Sequence, residues 1–194
     1  MNDFSKNSMP ASDGAPEAPV PRRQLLLGLA ATAAVVAGAG VALWRSERPQ
    51  DAAVGKVDAA FWDMQWETPA GAPLPMRNFA GRPLLLNFWA TWCPPCVEEL
   101  PLINAFYRDN QANGWQVLGL AVDKLTPVQS FLKSMPLDFP IGMAGIQGTD
   151  LARKLGNASG GLPFSVLFGA DGSVLRRKLG RLRESDLQTW AGLK

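Results

Sequence analysis

The sequence predicts an α/β domain whose elements run strand, helix, strand, helix, hairpin, helix. Three observations carry that reading. Residues 83–89 and 115–122 are apolar almost throughout, the mark of strands buried on both faces. Between them Leu100, Leu102, Ile103, Phe106 and Tyr107 recur at the spacing of one apolar helix face. Near the C-terminus two shorter segments, 164–168 and 174–179, flank Gly169-Ala170-Asp171-Gly172, a strong turn signal that makes them a hairpin.

In chain order, residues 1–21 are rich in Pro, Ala, Ser and Asp, carry almost no core-forming groups and are expected to be a disordered tail. Arg22-Arg23 then opens an uncharged run from Leu25 to Trp44. As a helix that run is about 30 Å long, enough to cross a bilayer, and Trp44 suits the membrane interface. A retained signal anchor over 22–44 fits the full span. A signal peptide cleaved near Ala37-Gly38-Ala39 is the alternative. A soluble buried helix is disfavoured because the segment has no polar face. The Arg22-Arg23 pair also gives a weak twin-arginine export signal, and basic residues on both sides of the span leave its orientation open. Residues 45–60 are expected to be a tether and 61–194 the folded domain.

Within that domain, residues 61–78 alternate around Thr68-Pro69-Ala70-Gly71 and predict an N-terminal hairpin. Thr126 is the expected cap of a helix that runs to about Met135, with Pro127 at its first position. A short strand is expected over 139–143, a short helix over 150–155 and a closing helix over 184–193. Trp62, Trp66, Trp89, Trp115 and Trp190 are read as packing residues. The basic residues Arg176, Arg177, Lys178, Arg181 and Arg183 suit a charged edge that resists sheet-to-sheet pairing, with a phosphate or headgroup patch as the lesser alternative.

Cys93-Pro94-Pro95-Cys96 carries the chemistry. These are the only 2 cysteines among 194 residues, so they cannot staple distant segments. Prolines are tolerated in a first helical turn, which puts Cys93 at a helix N-terminus. There the dipole and free N–H groups favour a thiolate, the attacking form, and typically lower its pKa from about 8.5 to about 3.5–7.5. Cys96, one turn in, is expected to be less exposed than Cys93 and to resolve what Cys93 captures. A structural zinc site wants four ligands, and the chain has 2 cysteines and no histidine. Covalent haem attachment wants a histidine where Val97 stands. An inert buried pair is the remaining plain alternative. With 19 basic and 17 acidic residues the net charge is +2, which indicates no nucleic-acid surface.

Phe88-Trp89-Ala90-Thr91-Trp92-Cys93-Pro94-Pro95-Cys96 resembles the active-site segment of the TlpA/ResA-type, membrane-anchored, thioredoxin-like disulfide reductases. The resemblance extends from about Phe61 onward. Ala80-Gly81-Arg82-Pro83 is similar to that family's lead-in to its first long strand, Pro101 falls where its active-site helix kinks, and Gly161-Leu162-Pro163-Phe164 resembles its cis-proline loop. The resemblance implies a thioredoxin-like fold: a central mixed sheet flanked by helices, with an N-terminal hairpin and a central insertion. It implies a catalytic pair, Cys93 and Cys96, with Trp92, Pro94, Leu162 and Pro163 as substrate contacts, and neither metal nor cofactor. Without it, Pro163 would read as a trans proline in a glycine-rich turn.

Asn87 stands where thioredoxin itself has a buried aspartate, and an amide cannot take a proton as that carboxylate does. Glu99 matches a glutamate that some members keep near the cysteines, three residues past Cys96 on roughly the same helix face. It is either a general base for Cys96 or a solvated glutamate like Glu98.

The resemblance also implies partners and a place. The partners are protein disulfide substrates, a DsbD-like membrane or periplasmic electron donor, and the inner membrane held through the N-terminal helix. The tail would be cytoplasmic and the catalytic domain periplasmic, anchored or cleaved and soluble, with cytochrome c maturation as a plausible setting. A DsbA-type oxidase or isomerase is the rival enzyme. A metal-carrying or adaptor module on the same scaffold is the non-enzymatic rival.

Overall fold

The computed structural model describes residues 54–193. The expected tail, the 22–44 anchor and most of the 45–60 tether lie outside the described residues. Eight strands form one sheet in the order β1-β8-β7-β4-β5-β6-β2-β3. β4 (Leu84–Trp89), β5 (Gln116–Ala121) and β6 (Ile141–Met143) are parallel, so all three end at one edge. β7 (Phe164–Phe168) pairs antiparallel with β4, Phe88 opposite Phe164, and β8 (Ser173–Leu179) pairs antiparallel with β7. The sheet is therefore mixed, with strands buried throughout at its centre.

Alternate residues of each strand serve opposite faces. Leu85 and Trp89 of β4 and Leu167 of β7 pack under α2 (Pro94–Asn110), α3 (Leu125–Ser134) and α5 (Glu184–Ala191). Leu84, Leu86 and Phe88 pack with Phe164, Val166 and Phe168 under α1 (Ala59–Trp62) and α4 (Gly145–Lys154). Phe61 of α1 stacks on Phe168 with ring centroids 5.2 Å apart.

Several boundaries differ from expectation. The end of the expected tether is structured: β1 (Val54–Lys56) pairs antiparallel with the start of β8, and α1 begins at Ala59. β8 is thus an edge strand over only part of its length. Two of the basic residues that follow are tied to acids, Lys178 to Asp186 at 2.6 Å and Arg181 to Glu98. The N-terminal hairpin is present but short, β2 (Gln65–Glu67) against β3 (Pro73–Pro75), because Phe61 belongs to α1 and Met76–Phe79 is a single 3₁₀ turn.

Thr126 does not cap α3. The helix starts two residues earlier than expected, at Leu125, with Lys124 at the cap position and no side-chain cap hydrogen bond. The helix expected over 150–155 begins at Gly145. Its extra turn contains Gly148, where a Cβ would stand 2.8 Å from Ala144 Cβ and 2.9 Å from Val122 Cγ2. Close packing on β5 selects a residue of poor helix propensity, which hides the turn from the sequence.

Candidate active site

β4 delivers the chain to the disulfide edge, where residues 90–92 turn it into α2. Cys93 occupies the helix N-cap position, and its carbonyl accepts the N–H groups of Cys96 at 3.0 Å and Val97 at 3.1 Å. Pro94 and Pro95 fill the first two helical positions and carry no N–H. The Cys93 and Cys96 sulfurs are bonded, closing the small ring that the spacing predicts. The expected contrast in exposure is slight. Cys96 is 0% exposed, but Cys93 is itself 4% exposed in this oxidised form. Flanking Trp92 is 66% exposed, and Pro94 and Pro95 are exposed beside it.

The turn is held from the neighbouring strand. Asp123, two residues past β5, accepts the Thr91 N–H at 2.8 Å and the Thr91 hydroxyl at 2.6 Å on one oxygen, while its other oxygen takes the Lys124 N–H. That carboxylate fixes the approach to Cys93 and is absent from the sequence reading. The signal that could have found it is a single acid immediately beyond an apolar parallel strand, at the edge where such sheets place their chemistry.

Because Phe164 opens β7 opposite Phe88 near the end of β4, the 161–163 loop reaches the same edge. The Leu162–Pro163 peptide is cis, Pro163 is buried, and Leu162 packs partly against the apolar cluster that contains both cysteines. The Pro163 carbonyl accepts the Gly180 N–H at 2.8 Å, whereas among the described residues the Leu162 N–H and carbonyl engage no backbone partner. Among the described residues, the exposed large apolar ones, Trp92, Leu125, Ile146 and Leu179, all emerge at this edge, following β4, β5 and β6 and ending β8.

Glu99 is not solvated like Glu98. It is 1% exposed, facing the sheet beneath α2. Its Oε1 accepts Asn87 Nδ2 at 2.8 Å, and its Oε2 accepts the Leu182 N–H at 2.6 Å. Burial pushes its pKa from 4.5 up to about 7, while those two hydrogen bonds and the charges of Arg181 and Lys178 pull the other way. Asn87 Nδ2 also reaches Ser165 Oγ at 3.0 Å, across the β4–β7 pairing. Neither Ser165 nor the backbone of Leu182 gave a sequence signal; Leu182 lies 83 residues from Glu99 and meets it only through the fold.

The fold and the closed Cys-x-x-Cys ring at a helix start define a thioredoxin-like protein with redox-active thiols. The Redoxin family model matches residues 59–190, and the chain belongs to that family. Among its relatives, the thiol-disulfide oxidoreductase ResA of Bacillus thuringiensis subsp. konkukian is 30% identical over 121 residues, 62% of this chain and 68% of that one. ResA of Bacillus subtilis is 27% identical over 130 residues, 66% and 69% of the two chains. Among solved structures, StoA of Bacillus subtilis superposes with a TM-score of 0.54 at 26% identity, covering 66% of this chain and 94% of that one. A thioredoxin-family thiol:disulfide interchange protein of Chlorobium tepidum gives a TM-score of 0.60 at 25% identity, covering 67% and 91%. The protein is a thiol-disulfide oxidoreductase of the ResA type, acting on protein disulfides.

Proposed function

We propose that the protein works as a disulfide reductase. The Cys93 thiolate attacks one sulfur of a substrate disulfide; the substrate S–S bond breaks, one substrate thiolate leaves and a mixed disulfide forms. Cys96 gives its proton to Glu99, and its thiolate attacks the Cys93 sulfur and expels the second substrate thiolate. The substrate gains two electrons and the protein ends as the Cys93–Cys96 disulfide. A dithiol donor, DsbD-like, restores it.

The observation that carries the direction is the first turn of α2. Pro94 and Pro95 supply no N–H, and the Cys96 N–H is spent on the Cys93 carbonyl. The Cys93 sulfur is left with the helix dipole and no histidine, a weaker stabiliser of the reduced form than a strongly oxidising site needs. Glu99 suits the proton step because it is a buried carboxyl with a pKa near neutrality, three residues along α2 from Cys96. The unengaged Leu162 backbone, at the same sheet edge as Trp92 and Pro94, suits an extended substrate strand added beside the disulfide. The uncharged 25–44 run supports an inner-membrane anchor with the domain in the periplasm, and a role in cytochrome c maturation is consistent with that placement.

Equilibration with glutathione of known ratio tests the direction. The expected potential lies well below the about −120 mV of the oxidant DsbA. A value near that figure makes the protein an oxidase.

A further inference from the structure

Among the described residues Glu99 is the one buried carboxyl group, and its two oxygens are not equivalent. The Leu182 N–H can only donate. It sits 2.6 Å from Oε2, so Oε2 remains an acceptor whether or not Glu99 is ionised. A proton on Glu99 therefore resides on Oε1. That atom lies 2.8 Å from Asn87 Nδ2, also a donor. Protonation would set two donors against each other in a buried contact, at the full cost of an unmade hydrogen bond.

Asn87 holds the means of avoiding this. It is fully buried, and its Oδ1 has no hydrogen-bond partner. Its Nδ2 faces two oxygens, Glu99 Oε1 and Ser165 Oγ. The Ser165 hydroxyl can donate as well as accept. We propose that Asn87 is the positioning residue for the Glu99 proton, its side-chain amide turning through half a rotation as Glu99 gains or loses that proton. With Glu99 ionised, Nδ2 donates to Oε1 and to Ser165 Oγ. With Glu99 protonated, Oδ1 accepts from the Glu99 O–H and from the Ser165 O–H. Each state keeps two bonds and leaves one amide atom unpaired. Because the amide nitrogen and oxygen are nearly the same size, the turn disturbs no packing.

This inference rests on Glu99 being the base that serves Cys96. The other charges facing Glu99 favour its ionised form: Lys178, paired with Asp186, and Arg181, paired with Glu98. Burial opposes them, so both proton states are accessible near neutral pH. A leucine at position 87 would fill nearly the same space and could bond to neither proton state of Glu99.

Neutron diffraction from deuterium-exchanged crystals of the oxidised protein reads the amide directly. At about pH 9 the Asn87 deuterons should face Glu99; at about pH 5 they should face away, with a deuteron on Glu99 Oε1. The same amide orientation at both pH values overturns the proposal. In solution, Asn87→Leu should move the acid limb of the pH–rate profile up by about one pH unit or more, because a charge-assisted bond to the ionised form is lost. An unmoved limb overturns it as well. Failure of the underlying reading looks different: a wild-type profile in Glu99→Gln removes Glu99 as the base, while the diffraction result still decides what Asn87 does.

Discussion

The two faces of the sheet are built from alternate residues of the same strands, yet they bury different chemistry. Under α1 and α4 the centre is wholly apolar: Leu84, Leu86, Phe88, Phe164, Val166 and Phe168. Under α2 the corresponding centre holds Asn87 and Ser165, directly opposite each other on β4 and β7, with Glu99 pressed onto them. Shifting the register by one residue would exchange the faces, so the alternation Leu86-Asn87-Phe88 alone fixes which side is polar. The disulfide lies on the polar side. One face supplies stability, and the other spends some of it on a buried carboxyl that can change its proton state.

The comparison breaks first at its apolar half. Phe168→Ala removes a ring stacked on Phe61 and edge-on to Trp62. It should cost about 3–5 kcal/mol in denaturant unfolding, while the turnover of molecules that remain folded stays at the wild-type value. A large loss of turnover in folded protein would mean that the apolar face shapes the site.

The polar half responds to pH. A carboxyl whose folded pKa is about 7, against 4.5 when unfolded, binds more protons in the native state between those values. Stability from this group is therefore full below about pH 4.5 and is lost as pH rises through about 7, by up to about 3 kcal/mol. Glu99→Gln should abolish that slope and be the more stable protein at about pH 8, while slowing the resolving step. Parallel stability–pH curves for the two proteins would contradict the burial argument.

A smaller effect is expected at the edge. Asp123→Ala strips two hydrogen bonds from Thr91 and should cost about 1.5–3 kcal/mol, with a slower first attack by Cys93 because the turn that presents it is released. Unchanged attack kinetics would leave Asp123 a purely structural acid.

How far the sequence could be read follows the same division. The long strands, the closing hairpin and the Cys-Pro-Pro-Cys helix start are governed by local pattern and turn chemistry, and they are legible. So is the proline loop, once the motif names its family. The first turn of α4 is not, because Gly145 and Gly148 argue against a helix until packing on β5 is known. The clamp on Glu99 is less legible still, since it joins a helix residue to a side chain 12 positions back and to a backbone N–H 83 positions on. Spacing can place a carboxylate on a helix face; only tertiary structure shows that the face is buried.

Trapping tests the division of labour between the two sulfurs most directly. Reduced Cys96→Ala, offered insulin as a disulfide substrate, should accumulate a stable mixed disulfide through Cys93, and Cys93→Ala should accumulate none. Equal trapping by both variants, or by neither, would contradict the account.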